Sequence, residues 1–387
     1  MGALTGLTVL DLSFFAPGRW ATMVLADLGA DVICVEVPRG LRPDSPATDD
    51  DTNGRWVMYQ RNKRSITLNL KTPAGQRVVA ELVKKADVVI ESYKPGTAAR
   101  LGVGYETVRQ HNPQVVYCSV SGFGQTGPYR NLVGHEPNYQ GLSGVLYQNR
   151  SENGAPQMVP ALVGDLAGGA SSAVMAILAA LYHRQATGEG QYIDVSIVAG
   201  IVQYMGVFPY ASWKKDEYRM TSYSSGLRVD FRPYRTKDGK YVAISPTEPW
   251  HWRHFCEVIG REDLLDRNET TERRRETAGA LADVFLTRTR DEWVELNERE
   301  NIVVTPVLES MEEIEADPQM VHRGVFRELP YEPLGTVKQV ALPFTMSKTE
   351  PRMEFMPRYG EHTDEVLAEL GFGKEEIEDF RRDRTCE

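Results

Sequence analysis

The first 120 residues alternate short apolar runs with amphipathic stretches, and that alternation constrains the fold more than any other feature of the chain. LTVLDL is followed by RWATMVLADLGA and then by DVICVEV, which reads as strand, helix, strand. TPAGQRVVAELVKKA predicts a further helix, with Pro73 in its first turn and ionic residues on its outer face; the strands ADVVIES and QVVYCSVSG follow. Strands joined through helices imply a parallel sheet with crossover connections, hence an α/β fold. The turn after the first strand reads SFFAPGRWA and lacks GxGxxG, which disfavours a nicotinamide or flavin site; GxxxxGK[ST] is also missing. A sheet of this kind says nothing of function by itself.

Farther along, LAGGASSAVMAILAALYHRQA (residues 166 to 186) predicts a nearly all-apolar helix, buried in the protein rather than crossing a membrane. TGEGQYIDVSIV gives a turn and strand, and an aromatic-rich stretch runs to about Lys214. Residues 215 to 228 are polar and Ser-rich, and PYRTKDGKYVAISP reads as a hairpin turning at Asp238-Gly239. A second, smaller domain begins there and continues through the charged helices ALADVFLTRT and RDEWVELNERE, the strand NIVVTPVL and the helix MEEIEADPQM. The chain of 387 residues, 41% hydrophobic, is long enough for two such cores.

Forty-four Lys plus Arg against 54 Asp plus Glu leave a formal net charge of -10, so neither nucleic acid nor an anionic membrane is an expected partner. An anionic ligand needs a local basic patch. The N-terminus lacks a basic region ahead of a long apolar run, and a cytoplasmic location is the expectation. Cys34, Cys118, Cys256 and Cys386 show no CxxC spacing and read as reduced thiols, three of them packing residues and Cys386 a tail thiol.

RNKRSITLNLK places Arg61, Lys63, Arg64 and Lys71 around an apolar strand, either as a solvated edge or as a cradle for a phosphorylated ligand. ESYKPGTAARLG adds Lys94 and Arg100 after a strand end, where open α/β sheets bind ligands. VGHEPNYQGLSG carries His135, and MVPALVGDLAGG carries Asp165 at the mouth of the apolar helix. A structural histidine and a helix N-cap are the ordinary readings of these two. Gly164, Gly168 and Gly169 around Asp165 point instead to close approach of a ligand. Phe14, Phe15, Trp56, Tyr59, Tyr139 and Trp250 hint at an apolar pocket.

Taken with GLTVLDLS, MVLADLGADVICVE, SGFGQTGPY, TGEGQYIDVS, TKDG and GEHTDEVLAELGF, these segments resemble the class III CoA-transferase family, which includes the α-methylacyl-CoA racemases. The resemblance covers essentially the whole chain. It implies a Rossmann-like large domain over residues 1–214, completed by a C-terminal return over 331–387. A linker and smaller α+β domain take 215–330, and two chains interlock as a homodimer, a heteromer being the other possibility. By position, Leu68, Asn69, Leu70, Lys71, Ser92, Tyr93, Arg100 and Leu101 fall on coenzyme A contacts, and Gly134, His135 and Glu136 near the pantetheine and acyl group. Val37 stands where the family often has an arginine, so Arg39 is assigned to the adenosine phosphate region in its place.

Two chemistries follow from the resemblance, both on acyl-CoA and neither with a metal or a permanently bound cofactor. In CoA transfer to a carboxylic acid acceptor, Asp165 is the nucleophile, and backbone amides of the Gly-rich turn hold the oxyanion. In 2-methylacyl-CoA racemisation, Asp165 and His135 are a two-base pair with Glu248 as a supporting acid. Transfer is placed first. Ala161 stands where racemases have an asparagine, SSGLRVDFRPY replaces their DGGAP segment, and residues 41 to 60 form a longer, transferase-like insertion. A non-catalytic coenzyme A-binding subunit is the third reading.

Overall fold

A computed structural model describes residues 1–41, 54–150, 154–206, 208–215, 228–266 and 271–387. The parallel sheet read from the alternation is present. β1 (Thr8–Asp11), β2 (Asp31–Glu36), β3 (Lys63–Thr67), β4 (Val88–Glu91), β5 (Val116–Ser121) and β6 (Gln191–Ser196) lie in the order β3-β2-β1-β4-β5-β6, all parallel. The sheet grows outward from β1 in one direction through β3 and in the other through β6. β1 and β4 are therefore neighbours at the reversal, and the crevice beyond their carboxyl ends is where such sheets bind ligands. Helix Pro73–Lys85, capped by the Thr72 hydroxyl, lays Val78, Val79, Leu82 and Val83 into the core beside Leu10, Ile33, Ile66 and Val89.

The described residues fall into two compact units, Met1–Gly144 with Val159–Tyr204 and Val321–Glu387, and Val145–Met158 with Met205–Met320. In the first, the C-terminal segment covers the edge strand β3. The Gly360 amide donates to Ser65 Oγ at 2.9 Å, the His362 amide to Ser65 O at 2.8 Å, and the Asn69 amide to Thr385 O at 2.7 Å. Val366, Leu367, Ile377 and Phe380 of helices Thr363–Glu369 and Lys374–Arg382 join the main core. An edge satisfied in this way offers no free ladder to another chain. In the second unit, the antiparallel strands β7 (Arg232–Arg235), β8 (Tyr241–Ile244) and β9 (Val304–Pro306) pack on Trp252, Phe255, Phe285 and Trp293.

Several expectations are corrected by burial. Arg61 and Lys63 are not a phosphate cradle, because both side chains are sealed in the core. Arg61 pairs with Asp27 at 2.8 Å and donates to Gln339 of the C-terminal segment at 3.0 Å. Lys63 Nζ meets Asp11 at 3.1 Å, Thr22 Oγ1 at 2.8 Å and the Arg19 carbonyl at 2.9 Å. Arg64 is taken by Asp31 and Glu369. Cys386 is not an exposed tail thiol but a core residue, its thiol pushed up to about 11 chiefly by burial. The apolar helix is buried on one face only, through Ala173, Val174, Ile177 and Ala180, while Met175 and Tyr182 are exposed. With the turn before it, Val163–Thr187 has the length and composition of a membrane span, and 44% of its most apolar window is buried inside the protein. The Ser-rich stretch from 216 to 227, most of the 41–60 insertion, the first residues of SSGLRVDFRPY and the Trp56 side chain lie outside the described residues.

Burial pushes the Asp11 carboxyl up, but Lys63, Arg19 and the hydroxyls of Ser13 and Thr22 together hold it below its ordinary value. Removing the cation leaves that carboxylate stranded. Lys63→Met is therefore expected to lower unfolding free energy by about 3–5 kcal/mol in urea titration; a loss under about 1 kcal/mol would show that the pair is not what secures β3 to the helix Ala16–Asp27.

Candidate active site

A cavity of ≈ 380 Å³ opens at the carboxyl ends of the strands beside the β1/β4 reversal. Its walls are the turn after β1 (Phe15 to Pro17), the turn after β4 (Ser92 to Pro95), the end of β5 (Val120 to Phe123), the segment Leu132 to His135, and Asp165. Every lining residue belongs to the first unit.

Asp165 does not cap a helix. It sits in a wide π-helical turn, Val163–Ser171, whose N-cap position is Leu162. Insertions of this kind recur at functional sites because they push one residue out of the regular ladder. Two hydrogen bonds fix this turn from below. The buried Glu136 carboxylate accepts the Gly164 amide at 2.7 Å and the Asp165 amide at 2.8 Å, and its Oε1 also accepts Gln140 Nε2 at 2.9 Å. Glu136, placed by position among coenzyme A contacts, thus lies beneath the site as its clamp.

The glycines serve the protein rather than a ligand. A Cβ on Gly164 would come within 2.8 Å of the Glu136 carboxylate, and one on Gly168 within 2.6 Å of the Ile197 carbonyl. One on Gly200 would run into the Gly168 carbonyl, so the Asp165 turn and helix Ile197–Tyr204 touch backbone to backbone. Of the amides around Asp165, those of Gly164 and Asp165 are not free for an oxyanion, since both already donate to Glu136.

His135 precedes the helix Glu136–Ser143 as its N-cap residue, and its amide donates to Asn138 Oδ1 at 3.0 Å. Its ring stands edge-on to Phe15, centroids 6.2 Å apart. Tyr139, one turn on, donates to the Gly134 carbonyl and fills the space that a Cβ on Gly122 or Gly134 would need. Burial first, then the charges of Asp165 and Glu136, push its phenol up to about 12.

Of the residues predicted from sequence, Ser92, Tyr93, Gly134, His135 and Asp165 come together on the cavity wall, with Phe15, Tyr59 and Tyr139 among the aromatics. The remaining coenzyme A positions do not line it. Leu68 and Leu70 are core residues, and the Asn69 amide is bonded to Thr385. The Lys71 amide donates to Asn69 Oδ1, and Leu101 packs on the core. Arg100 is exposed and bonded to Thr97. The Arg39 guanidinium lies 5.0 Å over the Tyr359 ring, and its amide donates to Glu387 Oε1 at 2.9 Å. Glu248 belongs to the second unit, where it is the N-cap residue of helix Pro249–Val258; hydrogen bonds from its own amide and from the Thr247 hydroxyl hold its carboxyl below the usual value. Trp250 is exposed in the same helix. Sequence reasoning missed Arg130 on the cavity wall and the clamp role of Glu136. The one signal for the clamp is the position of Glu136 next to His135, at the start of a helix.

Behind the β4 turn, Glu91 is buried, and its Oε2 accepts the Tyr93 amide at 2.7 Å. Desolvation, opposed by the Ser119 hydroxyl and the Tyr93 amide and reinforced by Asp194, pushes its carboxyl up to about 7.

Comparison with known proteins adds independent findings. The sequence pattern described as CoA-transferase family III matches residues 4–363. Human α-methylacyl-CoA racemase is 33% identical over 100% of this chain and 98% of its own. The succinate–glutarate CoA-transferase of Agrobacterium fabrum is 34% identical over 95% of each. The crystal structure of a CAIB/BAIF family protein from Brucella suis superposes with a TM-score of 0.79 at 27% identity, over 95% of this chain and 99% of that one.

Glu136→Gln replaces one acceptor oxygen by a donor and strands one of the two amides, with an expected cost of about 1–3 kcal/mol in chemical denaturation; unchanged stability would remove the clamp. Glu91 titrates near 4.5 when unfolded and near 7 when folded, so its contribution to stability is full below pH 4.5 and declines as pH rises to about 7. Glu91→Gln should flatten that decline, worth on the order of 3 kcal/mol at pH 8; identical stability-against-pH curves for the two proteins would refute it.

Proposed function

The chain belongs to CoA-transferase family III, and from that premise we propose that it exchanges the α-proton of a 2-methylacyl-CoA, with Asp165 and His135 as the two proton-carrying groups. The observation that carries this reading is their presence on the wall of one cavity, among apolar and aromatic neighbours. One group takes the α-proton, and the electron pair of the C–H bond moves into an enolate whose charge rests on the thioester oxygen. The other group returns a proton to the opposite face of the same carbon. Two bases are needed because a single one returns the proton to the face it came from. The clamp beneath Asp165 supports the scheme by holding its backbone still while its side chain changes charge. Ser92, Tyr93 and Lys94, at the carboxyl end of β4, are where the pantetheine arm enters.

CoA transfer through Asp165 is the second reading, favoured by Ala161, which offers only a methyl group four residues before the aspartate, and by transferase relatives of like identity. There the Asp165 carboxylate attacks the thioester carbonyl, giving an aspartyl anhydride and CoA thiolate.

One experiment separates the two. In heavy water, 2-methylbutanoyl-CoA should take up deuterium at its α-carbon and interconvert stereoisomers, and His135→Ala and Asp165→Asn should each lower the rate on the order of 10²-fold or more. Exchange that persists in both variants sinks the two-base assignment. A hydroxylamine-sensitive CoA adduct on Asp165 without α-exchange assigns transfer instead.

A further inference from the structure

We propose that Ser121 donates a hydrogen bond to the thioester carbonyl oxygen of the acyl-CoA bound beside Asp165, an inference that rests on the cavity being an acyl-CoA site. Both chemistries place negative charge on that oxygen, as an enolate in one case and a tetrahedral adduct in the other, and a fixed donor at that point acts directly on the barrier. The amides nearest the carboxylate cannot supply it, since those of Gly164 and Asp165 donate to Glu136. The Tyr139 hydroxyl already donates to the Gly134 carbonyl.

Ser121 is the last residue of β5, 9% exposed, and lines the cavity. Among the cavity's residues it carries the one buried side-chain polar atom that has no hydrogen-bond partner among the described residues. A buried hydroxyl without a partner is a net cost to a folded chain, and native structures retain few of them without a use. The strand holds the residue rigidly, through pairing of β5 with β6 at Ser121 and Ser196 and the bond from the Val198 amide to the Gly122 carbonyl. The Ser121 oxygen is closed off from the cavity in this structure, so the hydroxyl must turn about its one side-chain torsion as the acyl-CoA binds. It transfers no proton; it holds the oxygen while the Asp165 and His135 pair, or Asp165 as nucleophile, does the bond-making.

The test compares wild type with Ser121→Ala and with Ser121→Cys, which keeps the volume but is a poor donor. With 2-methylbutanoyl-CoA, or in CoA transfer if that is the activity found, both variants should lose on the order of 10²-fold in kcat. KM should change little, and the Ala variant should melt no lower than wild type. Wild-type kcat in either variant overturns the proposal, as does a fall in kcat for Ser121→Ala that comes with a lower Tm while Ser121→Cys stays active. If the wild type catalyses neither reaction, the reading of the chemistry fails, and the infrared carbonyl band of bound 1-¹³C-2-methylbutanoyl-CoA decides for Ser121. A shift to lower frequency in wild type that vanishes in Ser121→Ala supports the donor role. Equal bands in both proteins, or no binding at all, end it.

Discussion

The site depends on one carboxylate that does not face the cavity. Glu136 starts the helix that follows His135, and its two oxygens grip the amides at Gly164 and Asp165. A charge-assisted pair of this kind, shielded from water, is stronger than a neutral one and ties together segments 29 residues apart in the chain. It positions both groups at once, because His135 is the N-cap residue immediately before the clamp. It also decides which donors are left for a ligand, since the two amides it uses are lost to any oxyanion.

Around this clamp the scaffold is unusually ionic for an interior. Lys63 with Asp11, Arg61 with Asp27, and Arg19 with Glu36 are all buried, and they link β1, β2 and β3 with the helix Ala16–Asp27. Such pairs add less to stability than an apolar core of the same volume, but each is costly to break, so any shift of β3 or the helix Ala16–Asp27 that parts them is penalised. Arg61 reaches Gln339 as well, which draws the C-terminal return into the same set of contacts. The carboxyl ends of β1 and β4 are thereby held where the cavity needs them.

Much of this was legible in the primary structure, for different reasons. Four of the six strands, β1, β2, β4 and β5, announce themselves because strands buried on both faces are largely apolar runs, as in VVIE and VYCSVS. Asp165 and His135 could be picked out by their settings. Arg61 and Lys63 could not be read correctly, since a cation beside an apolar strand looks the same in one dimension whether its head meets water, a phosphate or a buried aspartate. The glycines near Asp165 misled for a related reason: a missing Cβ shows that something comes close, here Glu136 and the helix Ile197–Tyr204, without showing what.

Local pattern alone determined the α/β class, the parallel sheet, the extent of most elements and the short list of reactive side chains, because periodicity and turn chemistry are properties of neighbours along the chain. Only the tertiary structure decided which of those side chains share a cavity, which cations are spent inside the core, and that Glu136 supports Asp165 from beneath. Those outcomes depend on distances between residues far apart in sequence, and hydrogen bonding in a dry interior is settled by which groups packing brings within reach.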